Sequence, residues 1–595
     1  MIIAQRRSYT ILSIALLLFL VPCLTSWAAP EWPEIESSDG IWQILDGVPA
    51  AKAAAEVWVS PERGLLVSVD ANVLSQTLDY APREFTAAGR DAPGVITLPL
   101  PDGQYAYFLI VESPIMAPEL AAKFPEIRTY AGQGVDDPWA TVRLDYSPRG
   151  GFHAQILSPS GAVYIDPYLR NDKSLCVSYY KRDYGAGRKF RCLVDDDDGA
   201  QRPARPAGGA AAARSHGASL RTYRLAVACT GEYGQYHGGT VPQALAAIVT
   251  TINRVSGIYE TEVAARLELV ANNDLIVFTN PVTDPFTGNE NEAVLINESQ
   301  TEIDNRILDS NYDIGHTFST GAGGLAQVGV VCDGGWKALG VTGIGAPVGD
   351  PFDVDYVAHE IGHQFGATHT FNGSGEACGG TNRSEEAAYE PGSGSTIMAY
   401  AGICSPDNLQ SNSDPYFHHA SLDQIIGHIV DGNGFGGGPS CGVATATGNN
   451  VPTVNAGNDY TIPSRTPFTL TVAASNDADS DPLTFCWEQH DLGPQVPLAA
   501  ADDGSIPLFR SFSPTSDPSR TFPRLANILS NTPTDDEKLP TQARAMNFRV
   551  TVRDKFMADP AVPGGTVSDD VIVTVNAASG PFVVTSPTGG TLAGS

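Results

Sequence analysis

Basic residues are scarce in this chain: 36 Lys and Arg stand against 67 Asp and Glu in 595 residues, a formal net charge of −31. That deficit argues against a nucleic-acid partner and against an anionic membrane surface, both of which recruit clustered cations. Long apolar runs are scarce as well. The run over residues 11–20 is short for a bilayer span and breaks at Pro22. With Arg6 and Arg7 before it and Ser26-Trp27-Ala28-Ala29 behind it, the segment reads as an export signal over residues 1–29. No later segment is apolar enough to cross a membrane, so a released, extracellular protein is expected. Charged residues make up only 17% of the chain, whereas Gly (60) and Pro (43) are plentiful, which points to a turn-rich, strand-heavy fold. The length exceeds what one core supports and predicts three or four domains. Loss of the signal removes Cys23 and leaves eight of nine cysteines, an even number suited to an oxidising compartment.

Metal-binding chemistry is concentrated in one place. His359-Glu360-Ile361-Gly362-His363-Gln364-Phe365-Gly366-Ala367-Thr368-His369 spaces three histidines as ligands. On a helix, His359 and His363 lie one turn apart on the same face, so two imidazoles converge on one ion. Gly366 can take the left-handed backbone that ends a helix, turning the chain back to deliver His369. Three neutral ligands leave a fourth position for water, as a catalytic zinc site requires. Glu360, one step round the helix, is expected to act as general base on that water. A bare His-Glu-x-x-His arises by chance in helices; the glycine and third histidine at matching offsets make chance the weaker reading.

This pattern resembles the metzincin metallopeptidases. The resemblance implies a methionine-containing turn beneath the metal, and 395–400 supplies one, with Met398 29 residues beyond His369. Met398 is expected to carry no chemistry, and an ordinary buried methionine is the competing reading. Tyr400 stands where a tyrosine assists the oxyanion in some metzincins; core packing is its alternative role. His418 and His419, adjacent in sequence, are poorly arranged to share a metal and read as structural or surface groups.

Turn residues punctuate strand-like stretches at 56–59, 65–69, 105–111 and 163–165, so residues 30–217 read as a β-rich block ending in a linker. The linker, from Asp195-Asp196-Asp197-Asp198 to Ala213-Arg214-Ser215, has a composition that cannot pack a core. A block of this kind before an enzyme suggests a propeptide, with Arg202, Arg205 and Arg214 as cut sites. The enzyme, 218–442, is expected to be an α/β layer: a strand at 220–228, a helix opened by Thr240-Val241-Pro242, strands at 265–270 and 274–278, a helix at 291–308, a strand at 314–318, and the zinc helix at about 354–365. Residues 324–328 read as an edge strand able to pair with an extended substrate, or as a plain sheet strand.

Within the metzincins, 223–228, 324–332 and 358–366 look most like the reprolysin (adamalysin) group and its secreted bacterial relatives, and the N-terminal block resembles their propeptides. Two departures are Thr370, where reprolysins usually have aspartate, and the missing cysteine before Met398. The resemblance implies one zinc ion, a protein or peptide substrate and a Cys332–Cys441 disulfide. A propeptide thiolate can fill zinc's open position. Cys192, beside the linker, is the favoured switch, and a Cys176–Cys192 disulfide is the alternative. Cys378 and Cys404 bracket the methionine turn and can staple it, leaving Cys229 and Cys486 over.

Beyond residue 448, short strands at 468–472, 483–487, 548–552 and 571–575 predict an all-β sandwich over 450–578. Asn455 to Asp459 and Asp477 to Leu483 resemble polycystic-kidney-disease-type and cadherin-like immunoglobulin modules. Asp477, Asp479 and Asp481 have calcium-like spacing, against which stands a solvated acidic turn. Residues 579–595 look like the start of a further, incomplete module. The chain therefore reads as a secreted zinc endopeptidase made as an inhibited precursor. The alternative is an inert adhesin stiffened by calcium.

Overall fold

A computed structural model describes residues 36–185, 191–194, 215–321, 323–432 and 438–581. The export signal, most of the linker with its three arginines, and 582–595 lie outside the described residues. Among those described, no helix is long and apolar enough to cross a membrane.

The N-terminal region is a nine-stranded antiparallel sheet. Its order is Trp42–Ile44, Leu65–Val69, Asp172–Tyr180, Val163–Leu169, Gly151–Leu157, Thr141–Ser147, Arg128–Gly134, Tyr105–Glu112 and Gly94–Pro99. One face closes over its own core, with Trp42, Leu74, Ile96, Phe108, Leu144 and Ile165. Residues 56–59 do not form the expected strand. Val57 alone bridges to Leu169, while Trp58 leaves the sheet to stack on Tyr236 beneath the Arg170 guanidinium.

The middle region is a mixed α/β layer. Ala265–Leu269, Ser219–Cys229, Ile314–Ser319 and Gly340–Gly343 run parallel in that order, and Leu325–Ala326 pairs antiparallel at the edge. The crossover helix Val241–Val263 starts with Pro242 in its first turn and ends at Ala264 in the left-handed conformation. It is buried nearly all round, because the N-terminal sheet covers the face turned away from the middle sheet. Polar residues on that face are paired: Thr250 donates to Asp145 (2.8 Å), Asn253 to the Leu144 carbonyl (3.0 Å), and Arg254 to Asp166 (2.7 Å) and Asp353 (2.9 Å). Residues 274–278 are not a strand. Asn273–Ile276 is a 3-10 turn, because the Asn273 side chain both accepts from the Val227 amide (2.8 Å) and donates to its carbonyl (2.9 Å), taking the place of a neighbouring strand.

The C-terminal region holds a four-stranded sheet, Tyr460–Pro463, Thr566–Asn576, Arg544–Asp554 and Leu483–Gln489, with two-stranded pairs Thr453–Asn455/Ala474–Asn476 and Phe468–Thr471/Ser519–Phe522. Trp487, Phe509, Phe522, Phe548 and Val573 fill the space between them. This region is not independent of the middle one. Gln495 donates to the carbonyls of Gly373 (2.8 Å) and Cys378 (2.7 Å), and Arg553 pairs with buried Glu262 (2.7 Å). Disulfides join Cys332 to Cys441 and Cys378 to Cys404. Cys176, Cys192, Cys229 and Cys486 are free and buried, so the Cys176–Cys192 bridge is not formed: Cys176 lies in the N-terminal core and Cys192 elsewhere.

Candidate metal centre

A π-helical turn, Asp353–Ala358, runs into the short α-helix His359–Gln364. Gly366 then takes φ +96° and reverses the chain towards His369. The three imidazoles are buried, with His359 Nε2 3.3 Å from His369 Nε2, and His363 Nε2 3.1 Å from each of the others. His359 Nδ1 lies 2.7 Å from the Ile397 carbonyl and His363 Nδ1 2.8 Å from the Ala367 carbonyl. Those carbonyls can only accept, so each Nδ1 carries the proton and each Nε2 turns a lone pair towards the others. Lone pairs facing one another in a dry site need a cation between them. Zinc–nitrogen bonds of about 2.0–2.1 Å at tetrahedral angles separate the nitrogens by about 3.3 Å, so the residues fit the ion.

Cys192 occupies the remaining side. Its Sγ lies 3.5 Å from His369 Nε2 and 3.7 Å from His363 Nε2. A zinc–sulfur bond of about 2.3 Å predicts a sulfur–nitrogen spacing of about 3.6 Å in the same tetrahedron. Burial pushes the Cys192 thiol well above its ordinary range, with Glu360 adding to the effect; a divalent cation reverses that direction by binding the thiolate. The segment around Cys192 is held by the edge of the middle sheet. Leu193 donates to the Gly324 carbonyl (3.0 Å) and Gly324 to the Arg191 carbonyl (2.8 Å). Gly324 also donates to the Tyr356 hydroxyl (2.7 Å), which itself donates to the Arg191 carbonyl.

Glu360 faces this cleft. Neither carboxylate oxygen has a hydrogen-bond partner among the described residues, and burial pushes the carboxyl well above the usual range, with the Cys192 thiol in partial opposition. A Cβ at Gly324 would come within 2.0 Å of Glu360 Oε1 and 2.6 Å of the Tyr356 ring, so a larger residue there would displace the carboxylate or the ring. Met398 lies beneath the ligand helix: a Cβ on Gly362 would come within 2.5 Å of its sulfur. Tyr400 is fully buried, its ring against His369 and Phe371, and its hydroxyl donates to the Cys192 carbonyl (3.3 Å).

Sequence reading missed Glu390. This buried carboxylate accepts from Thr370 Oγ1 (2.7 Å), the Ser395 amide (2.8 Å) and Thr396 Oγ1 (2.5 Å), tying the chain after the third histidine to the methionine turn. Tyr356 was missed too, although it lies one turn before Glu360. The Asp triplet is partly redrawn. Asp477 and Asp481 gather with Asp554, whereas Asp479 is exposed and accepts from Asn450. His418 and His419 are buried, not on the surface.

Residues 219–427, about a third of the chain, match the family model described as Metallo-peptidase family M12B Reprolysin-like. The match takes in all three histidines, Glu360, Met398 and Tyr400, and supports a zinc-dependent metallopeptidase in the middle region, with protein or peptide as substrate. No curated protein matches the chain. Among solved structures, one titled a nucleoside hydrolase-related hypothetical protein from Saccharophagus degradans, associated with carbohydrate metabolism, aligns at 13% identity. It covers 60% of this chain and 100% of its own at a TM-score of 0.18, too low to bear on fold or function.

Proposed function

We propose that this chain is the precursor of a secreted, extracellular zinc endopeptidase of reprolysin-like metzincin type. Residues 30–217 are its inhibitory propeptide and linker, 218–442 its catalytic domain, and 450–578 an immunoglobulin-like module. The observation that carries the reading is the Cys192 thiol aimed into the open side of three converging imidazoles, at ligand distance from two of them. The N-terminal sheet and the middle region share an apolar core, in which Val59, Ile115, Leu120 and Tyr164 join Leu225, Ile248 and Val357, and buried ion pairs cross between them as well: Lys181 with Asp350 and Asp355 (2.7 Å each), Arg254 with Asp166, and Arg143 with Glu260.

His359, His363 and His369 hold the ion, which when bound supplies Lewis acidity that acidifies water and polarises a carbonyl. Glu360 takes the proton from the attacking water at its carboxylate and passes it to the leaving amine. The edge strand Leu325–Ala326 offers backbone groups to an extended substrate, which cannot pair fully while residues 191–194 occupy Gly324. The Tyr400 hydroxyl, which donates to the Cys192 carbonyl in the precursor, is the group assigned to assist the oxyanion once that carbonyl leaves. The test is casein or gelatin cleavage by chain processed in the linker: activity is expected to be lost with chelator and regained with zinc. Zinc-loaded, processed protein that cleaves neither substrate would favour the inert-adhesin alternative.

Calcium belongs to this proposal at Asp477, Asp481 and Asp554, whose oxygens lie within 4.8 Å of one another. Asp477 Oδ2 and Asp481 Oδ2 are buried without hydrogen-bond partners, and burial pushes the Asp554 carboxyl up to about 6, with the other two carboxylates adding to the shift. A carboxyl whose folded pKa is raised binds more protons folded than unfolded. Without calcium, stability at this site is therefore lost as pH rises from about 4 through 6. At pH 7, calcium at a hundred times its Kd should restore about 2.7 kcal/mol, seen as a rise of several degrees in the unfolding midpoint. An Asp481→Asn variant should abolish that rise; an equal rise in the variant would remove the site.

A further inference from the structure

Where the three regions meet they leave a cavity of about 500 Å³. The N-terminal sheet lines it with Trp139, Leu157 and Tyr180, the middle region with Pro415 and Tyr416, and the C-terminal region with Pro514. A space of that size with apolar and aromatic walls suits a small organic molecule. None of the metal-centre residues lines it.

One wall carries a charge with nothing to balance it. The strand Arg544–Asp554 brings Arg553 to the cavity and, one residue past its end, Lys555. Arg553 is committed to Glu262, Nε to Oε1 at 2.8 Å and Nη2 to Oε2 at 2.7 Å, and the Phe417 amide also donates to Oε2 (3.1 Å). Asp554, between the two cations, turns away to accept from Asn449 (2.9 Å) and the Gly565 amide. Lys555 is 9% exposed, yet its ammonium has neither a hydrogen bond nor an ion pair among the described residues. Burial pulls that ammonium down to about 8, with Glu262 in opposition, so the cation persists at pH 7. Buried charges are as a rule paired, because an unpaired one is costly. On the N-terminal wall, the Arg182 guanidinium lies over the Tyr180 ring (4.0 Å) without a carboxylate partner among the described residues. The other acid on the wall, Asp414, is pushed up by burial against the pull of Arg510, which favours its neutral form beside an incoming anion.

We infer that this cavity is a binding site for a small organic acid, whose anionic head pairs with Lys555 and whose apolar body lies against Trp139, Tyr180 and Tyr416. An inorganic anion would leave most of the volume and the apolar walls unused, and an uncharged ligand would leave the ammonium unpaired. The walls come from all three regions, so the site is complete only while the N-terminal sheet is in place. It is separate from the peptidase chemistry and stands whether or not that chemistry is as proposed.

The test is isothermal titration calorimetry of the full-length, unprocessed chain with sodium octanoate. One octanoate per chain is expected. Lys555→Met should weaken it by about tenfold or more, the loss of one charge-assisted contact, and Lys123→Met should leave it unchanged. Octanamide, the same shape without the charge, should bind as weakly to the unaltered chain as octanoate does to Lys555→Met. No octanoate binding, equal binding by Lys555→Met, octanamide as tight as octanoate, or displacement of octanoate by an equal concentration of sulfate would each overturn the inference. Should Lys555→Met fail to fold, the unaltered chain decides. Octanoate should shield Lys555, but not Lys123, from acetylation by acetic anhydride, read by mass spectrometry; equal labelling of Lys555 with and without octanoate refutes the site.

Discussion

Replacing Cys192 by alanine in the uncleaved chain is expected to switch on peptide hydrolysis that the unaltered precursor lacks. The Cys192 thiol sits where three imidazoles leave an opening, 3.5 and 3.7 Å from two of their nitrogens. Removing it leaves only the flanking backbone bonds to Gly324 and Tyr356 to hold the segment over the cleft. Loss of one charge-assisted contact worth about 3 kcal/mol should raise the open fraction about a hundredfold. Cys176→Ala is the control, since that thiol lies in the N-terminal core. The measurement is the initial rate on a quenched peptide, with electrophoresis showing the chain still intact. Full latency in Cys192→Ala, or equal activation by Cys176→Ala, would remove the switch.

That thiol also shows what the sequence could and could not disclose. The His359-to-His369 cluster was legible because metal geometry constrains residues within one helix and one turn, and Gly366 adopts the positive φ its place required. The helix Val241–Val263 was legible from its apolar spacing and Pro242 in its first turn. What the open face of the cluster meets is set by contacts spanning long stretches of chain. Cys192 reaches histidines 171 and 177 residues away, and Tyr416 and Ser395 of the methionine-turn region bond Ser511 of the C-terminal region. No local pattern encodes such contacts. Glu390 illustrates the limit: nothing in the local sequence around Thr370 signals that a carboxylate from another loop accepts its hydroxyl and the Ser395 amide. The misread strand at 274–278 failed for a related reason. Its apolar residues are real, but the Asn273 side chain makes the hydrogen bonds that a strand backbone would have made.

The same separation of ligand from reactant predicts the behaviour of Glu360. In linker-cleaved enzyme, Glu360→Gln is expected to bind one catalytic zinc as before, because the three Nε2 atoms that face one another belong to His359, His363 and His369. Its kcat should fall by about 10²–10⁴, the usual contribution of a positioned general base, with KM little changed. Glutamine preserves the size and shape of the side chain that packs against Gly324, so the loss isolates proton transfer from packing. His363→Ala should instead lose metal and activity together. Metal content and steady-state kinetics on one peptide separate the two cases. Turnover by Glu360→Gln within tenfold of the unaltered enzyme would exclude this carboxylate as the base, since no other carboxylate joins the histidine cluster among the described residues.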